Sequence, residues 1–212
     1  LYVCDIYINK SYIIYIIIMN IIVAHCRNRG IGVKNQLPWR LHADLKNFKE
    51  LTIGNGNNAV IMGRNTWVSL PSEYKPLPKR ENIVLTTKVD KPVIGIKNDK
   101  PILMPSLKET LKYCNERKFS QVWIMGGEFL YKTALNNVDI DNIYITRIDN
   151  DFNCDTFFPV VPSYFHLDSK TAWSEEKEIK YCFEKYIIKD TLEDPALYFD
   201  DKRGLIIGNN NV

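Results

Sequence analysis

No CxxC pair, no run of basic residues and neither a GxGxxG nor a GxxxxGK[ST] stretch occurs in these 212 residues. Each absence removes a class of function. The five cysteines, Cys4, Cys26, Cys114, Cys154 and Cys182, are dispersed and odd in number. They have neither zinc-site spacing nor the even count of a disulfide framework, and they fit a reducing, cytoplasmic setting. The three histidines, His25, His42 and His166, lack metal or triad spacing, so no metal is expected. The 28 basic side chains are interleaved with 25 acids, for a formal net charge of +3. Nucleic acid is therefore not implied, and a weak attraction for small anions is all that this charge supports. Without the two glycine fingerprints, any nucleotide must be held by a different α/β arrangement.

A clear membrane span is missing too. The stretch SYIIYIIIMNIIVA (11–24) is strongly apolar, but Asn20 interrupts it, it is short for a span, and no clear basic region precedes it. It reads as a buried strand ending near Ala24. Met19 stands where a chain start is natural, so residues 1–18 read as an extension. The Asn/Gly-rich end DDKRGLIIGNNNV lacks periodicity, and residues 190–212 read as a tail or linker. With 45% hydrophobic and 25% charged residues, the remaining 19–189 suffice for one globular domain with a sizeable core.

Short β-branched runs alternate with helical patterns. NIIVA (20–24), NNAVIM (57–62), ENIVLTT (81–87) and SQVWIM (120–125) read as strands, and 43–52, 65–70, 106–116 and 128–136 as helices. That alternation predicts an α/β domain with a mostly parallel central sheet flanked by helices. DNIYITRI (141–148) and EIKYCFEKYIIK (178–189) alternate at period two. They predict an antiparallel C-terminal hairpin that closes one sheet edge.

One helix carries an anomaly. In LHADLKNFKELT (41–52), Leu41, Leu45, Phe48 and Leu51 form an apolar stripe, and Asp44 lies on it. An acid in a first helical turn is often a cap. The other reading is a pocket-lining carboxylate whose pKa is raised by apolar surroundings, suited to proton handling. Upstream, the loop RNRGIGVKNQLPW (27–39) has the length of a functional loop and ends in Trp39, five residues before Asp44. Two strands exit into glycine and then a helix, at Gly63-Arg64-Asn65-Thr66 and at Gly126-Gly127. Each alone is ordinary turn chemistry. Together, with Arg64 and the strand end Thr86-Thr87-Lys88, they suggest a phosphate-bearing ligand across the carboxyl edge of the sheet. Arg80, between KPLP and a strand, is an exposed arginine unless it turns inward to fork a carboxylate.

Taken in order, IIVAHCRNRGIGVKNQLPW, LHADLKNFKELT, NAVIMGRNTWVSLP, PLPKRENIVLTT, VWIMGGEFLY, IYITRI and CDTFFP resemble the dihydrofolate reductase family from Met19 to about Lys189. Any one motif is weak, whereas the ordered set is specific. The resemblance implies NADPH-dependent reduction of dihydrofolate, with antifolates as further ligands. It makes Asp44 the acidic residue that binds the pterin edge and promotes protonation of the ring imine, with Trp39 and Thr146 holding a water network. Ile22, Val23, Ala24, Phe48 and Leu70 become the apolar walls, and Arg80 the clamp on the glutamate carboxylate. The cofactor is assigned to Ala24, Ile31, Gly32, Leu37, Gly63, Arg64, Thr66, Leu85, Thr86, Thr87, Lys88, Met125, Gly126, Gly127, Glu128, Phe129, Leu130 and Tyr131. In this family the glycine pair is joined by a cis peptide, and residues 30–37 match the loop that closes over the nicotinamide. A monomer is implied, and some relatives are fused to thymidylate synthase.

Three features depart from the family pattern. Residues 1–18 have no place in it. Glu128 follows the glycine pair where small residues are usual, which sets a charge near the pyrophosphate. Thr87 stands where many relatives have an arginine for the 2′-phosphate. Two rivals remain at this point: a pyrimidine reductase of riboflavin synthesis, which shares the fold, and a non-catalytic folate-binding module.

Overall fold

The computed structural model describes residues 17–87, 101–188, 197–200 and 204–207. Residues 1–16 of the extension, Lys88 and most of the 190–212 tail lie outside the described residues.

The first strand, β1 (Ile18–His25), is buried along nearly its whole length. After it come β2 (Gly30–Gly32), α1 (His42–Ile53), β3 (Asn58–Gly63), α2 (Arg64–Ser69) and β4 (Glu81–Leu85). Then follow β5 (Ile102–Met104), α3 (Leu107–Arg117), β6 (Gln121–Ile124), α4 (Glu128–Asn137) and β7 (Asn142–Ile148). The last part of the domain is β8 (Thr156–Phe157), β9 (Phe165–Lys170), β10 (Ser174–Glu176) and β11 (Ile179–Ile188). The sheet runs in the order β10-β11-β7-β1-β6-β3-β4-β5, with β9 also paired to β11. Every pairing from β7 to β5 is parallel. A parallel sheet covered on both faces favours continuous apolar strands, and AVIM of β3 and VWI of β6 are buried throughout.

The antiparallel pair forms as expected, with Tyr181 of β11 opposite Ile148 of β7. It does not close the edge. β9 and β10 both add to the outer side of β11. β9 shows a single buried residue and β10 is only Ser-Glu-Glu, so neither carries the apolar alternation that marks a strand. Strands β2, β5 and β8 escape because two or three residues are too few to show a period. Residues 197–200 and 204–207, within the segment read as a tail, pair as antiparallel strands with each other.

The apolar side chains divide between the two sheet faces. One cluster holds Ile21, Val23, Ile61, Ile124 and Phe158, packed under α3 and α4. The other holds Ile22, Val60, Met62, Trp67 and Trp123, with Phe48, Leu51 and Leu70 half-buried against it. A third, smaller cluster joins Trp39 and Leu41 to Ile148 and Tyr181.

Candidate active site

The opened face of α1 is where the site begins. Of the predicted apolar stripe, Leu41 is buried and Leu45 is 48% exposed. Phe48 and Leu51 are half-buried, and Thr52 is the one fully buried residue of the helix. A helix whose apolar stripe is sealed by the core would not leave leucine in water, so this stripe is only half covered. Asp44 sits on it. Its carboxylate accepts a 2.6 Å hydrogen bond from the Thr146 hydroxyl of β7. Burial pushes its pKa up, and the Thr146 bond opposes that only in part. Ala24 of β1 lies in register with Thr146, so β1, β7 and α1 converge here. The Trp39 indole N–H is buried near this point of the fold and has no acceptor among the described residues. Its ring lies 5.4 Å from that of Phe152.

The first turn of α1 is held from a distance. Leu41 caps it without a side-chain bond. Instead the carboxylate of Glu176, on β10, accepts from the backbone N–H groups of His42 at 3.0 Å and Ala43 at 3.1 Å. It also pairs with His42 Nδ1 at 2.7 Å. These bonds hold the Glu176 carboxyl down at about 2. Asp44 is therefore not needed as the cap, which removes the ordinary explanation for an acid at this position. Sequence reading missed Glu176, because its partner lies more than a hundred residues away and no local spacing links them.

Arg80 is buried, the inward-turned alternative of the sequence reading. Its Nη1 donates to Thr52 Oγ1 at 2.6 Å and its Nε to the Pro78 carbonyl at 3.0 Å. Its guanidinium lies 5.6 Å from the Phe48 ring centre. No carboxylate faces it among the described residues. Burial lowers its pKa to about 10. A buried cation without an anion is costly and suits one that arrives with a ligand.

The glycines meet at the carboxyl ends of adjacent strands. Gly63 N–H donates to the Gly126 carbonyl at 2.7 Å, and the Gly126–Gly127 peptide is cis. A Cβ on Gly127 would stand 3.4 Å from Thr66 Oγ1, so the two motifs share one surface. Gly126 has φ +105°, and a Cβ there would lie 2.9 Å from the Tyr131 ring. Tyr131 has no room to yield, since its buried hydroxyl donates to the Ile22 carbonyl at 2.8 Å. Gly126→Ala should therefore lower unfolding free energy by about 1–3 kcal/mol. Urea denaturation checks this, and an unchanged midpoint would show that the backbone relaxes freely.

Arg64 opens α2 beside this surface. Its Nη1 is buried with no acceptor among the described residues. Gly63 is in register with Leu85, which places Arg64 next to the strand end carrying Thr86 and Thr87. Thr86 is buried and Thr87 exposed. Lys88 lies outside the described residues. On α4, whose N-terminus has no side-chain cap, Leu130 is buried and Phe129 is 83% exposed. The Glu128 charge is neutralised, pairing with Lys132 at 2.5 Å and accepting from the Phe157 N–H at 2.9 Å. Its carboxyl pKa is lowered as a result, by Lys132 first and the Phe157 N–H second.

The predicted loop is strapped to β8. Gly30 pairs with Phe157 and Gly32 with Thr156. The Asp155 carboxylate adds to this by accepting from the Lys34 N–H at 2.8 Å. Ile31 and Gly32 lie on this strap, and Leu37 is 51% exposed beyond it. The structure thus brings Ile22, Phe48, Leu70 and Met125 into one apolar cluster, with Val23, Ile31 and Leu85 in the next. No group of side chains suited to a metal ion occurs among the described residues, and no helix there is long and apolar enough to cross a membrane.

Comparison with known proteins matches residues 18–188 to the model of the dihydrofolate reductase family. A dihydrofolate reductase of Heliothis virescens is 38% identical over 181 residues, covering 79% of this chain and 96% of the relative. That of Rattus norvegicus is 37% identical, covering 81% and 98%. A bifunctional dihydrofolate reductase-thymidylate synthase of Daucus carota is 36% identical, covering 79% of this chain and 33% of the relative.

Proposed function

The chain belongs to the dihydrofolate reductase family and reduces dihydrofolate to tetrahydrofolate, and from that premise we propose which of its residues do the work and that NADPH is its reductant. The observation that carries the assignment is the raised-pKa carboxylate of Asp44, bonded to Thr146 on a half-open apolar wall. The bound cofactor supplies the hydride. The protein must align the reacting carbons, exclude water and manage one proton. Asp44 accepts hydrogen bonds from the amino-imine edge of the pterin and stabilises the protonated ring imine. Trp39 N–H and the Thr146 hydroxyl hold the ordered water that brings the proton. Ile22, Ala24, Phe48 and Leu70 wall the two rings, Val23 backs them from the cluster on the other sheet face, and Arg80 takes the glutamate carboxylate. Decay of NADPH absorbance on adding dihydrofolate tests the cofactor assignment, and decay only with NADH would overturn it.

The residues on the sheet's carboxyl edge fit a phosphorylated dinucleotide. The orphaned Arg64 Nη1 is a buried donor lacking an anion. The uncapped N-terminus of α4 and the close Gly63–Gly126–Gly127 surface leave room for a pyrophosphate. Thr66, Thr86 and Thr87 surround the adenine side with Leu85. Met125, Glu128, Phe129, Leu130 and Tyr131 complete the cofactor wall opposite Ile31, Gly32 and Leu37. One charge-assisted contact of about 1.5–3 kcal/mol corresponds to a preference of roughly tenfold or more. NADPH should be preferred over NADH by that factor, less so as salt rises. Arg64→Ala should cut the preference, measured as the ratio of kcat/KM for the two cofactors. Equal use of both by the unmutated enzyme would refute the phosphate site.

The catalytic unit is read as residues 19–189, acting as a cytoplasmic monomer that binds neither nucleic acid nor membrane. Association with thymidylate synthase is supported by the bifunctional relative from Daucus carota.

A further inference from the structure

Two cysteines that are far apart in sequence meet at the root of the loop strap. Cys26 closes β1 one residue before the loop, and Cys154 lies two residues before β8. Both belong to the small cluster around Trp39. The Cys26 thiol is fully buried and donates to Asn28 Oδ1 at 2.9 Å. The same oxygen accepts from the Gly30 N–H at 3.0 Å. Gly30 is glycine because the Cys154 side chain fills the space beside it: a Cβ there would fall 2.4 Å from the Cys154 sulfur and 3.0 Å from Asn28 Oδ1. The two side chains thus share one crowded nook around Gly30 and Asn28. Cys154 is half-buried, so solvent reaches one member of the pair. Cys114 and Cys182 are buried in other parts of the fold.

We propose that Cys26 and Cys154 form a paired dithiol that accumulated peroxide converts to an intramolecular disulfide, locking the loop strap to β8 and slowing turnover. The chemistry balances. The Cys154 sulfur attacks one peroxide oxygen, giving a sulfenic acid and one water. The Cys26 sulfur then displaces hydroxide from that sulfenic sulfur. The S–S bond forms, the hydroxide leaves with the Cys26 proton as a second water, and the peroxide is reduced by two electrons. The buried partner is well placed as the resolving thiol, because it meets the sulfenic acid before a second peroxide does. Burial first, then Cys26 and Asp155, raise the Cys154 pKa, so thiolate is scarce and oxidation is slow until oxidant accumulates.

The consequence for activity rests on the proposed role of residues 30–37 as a loop over the nicotinamide. In the reduced protein, hydrogen bonds alone tie that loop to β8. Gly30 and Gly32 pair there, and the Phe158 N–H bonds to the Arg29 carbonyl at 2.8 Å. Such bonds open on the timescale that ligand exchange requires. A covalent link between residues 26 and 154 does not.

The experiment treats the full chain with stoichiometric hydrogen peroxide, blocks remaining thiols, and maps peptides by mass. The expected result is a Cys26–Cys154 cross-link two mass units lighter than the dithiol, absent from Cys154→Ser. Steady-state turnover of the oxidised protein should fall at least severalfold and return with dithiothreitol. As a second readout on unmutated protein, phenylarsine oxide should bind with a stoichiometry of one per chain and leave Cys26 and Cys154 unalkylated, since an arsenoxide bridges paired thiols with loss of water. Oxidation that stops at sulfinic acid on Cys154, or arsenoxide that fails to bind, overturns the dithiol. A mapped cross-link with unchanged turnover overturns the lock and leaves the catalytic assignments standing, while the cross-link itself is read without any assay of reduction.

Discussion

Asp44→Asn is expected to slow reduction of dihydrofolate by about 10²–10⁴-fold at neutral pH while leaving cofactor binding intact. Asparagine keeps the shape and can still meet the Thr146 hydroxyl. It cannot stabilise a protonated ring imine by charge. The wild-type rate should fall as pH rises, because the proton consumed in each turnover becomes scarce. The variant's defect should ease at low pH, where the substrate arrives already protonated. Near-wild-type turnover of the variant at neutral pH would sink the assignment. The same substitution has a second expected effect, opposite in sign. Burial raises the Asp44 pKa in the folded state above its ordinary value. The folded protein therefore holds this proton more tightly than the unfolded chain, and stability is lost as pH rises through the folded pKa. At pH 7 the buried carboxylate is a cost that asparagine removes. Melting temperature at pH 7 should rise while turnover collapses, as expected of a strained functional group.

That pairing explains why Asp44 was visible in the sequence. A carboxylate on an apolar stripe breaks the helical pattern, and such breaks are where function overrides folding. The parallel core was visible because β1, β3, β4 and β6 are short runs rich in Ile and Val, of which β3 and β6 exit into glycine. The outer edge was not. β9 and β10 carry mostly polar residues, because an exposed edge strand is specified by pairing with β11 more than by burial. Residues that act across the fold were hidden for a related reason. Glu176 caps α1 from β10, and Thr52 braces Arg80 from the end of α1, over 28 residues of chain. No spacing rule links such partners. Glu128 stood out only as a departure from the family pattern, and the Lys132 and Phe157 contacts show how its charge is accommodated. Arg80 was an ambiguous case. Its local context leaves an exposed and an inward orientation open, and the packing of Thr52, Pro78 and Phe48 around it gives the inward one.

Arg80→Leu is expected to raise KM for dihydrofolate by roughly tenfold to a hundredfold, the equivalent of one bidentate charge-assisted contact of about 1.5–3 kcal/mol. A ligand that lacks the glutamate tail should bind the variant as well as it binds the unmutated protein. The fold should survive, for a reason visible at the site. Burial holds the Arg80 pKa down at about 10, well below the ordinary guanidinium value. A base whose folded pKa is lowered destabilises the folded state wherever it stays charged, and that cost is relieved only as pH climbs through about 10 towards the ordinary guanidinium value. At neutral pH the cost is fully present without ligand. Leucine removes the charge and fills the space of the arginine stem against Phe48, although the bonds to Thr52 and Pro78 are lost. With ligand carboxylate as the proposed partner of this charge, substrate should stabilise the unmutated protein against heat far more than it stabilises Arg80→Leu. Thermal melts with and without dihydrofolate, alongside KM, separate the two roles. Equal loss of both ligands, with a collapsed melting temperature, would mark Arg80 as a brace for the fold instead of a clamp for the substrate.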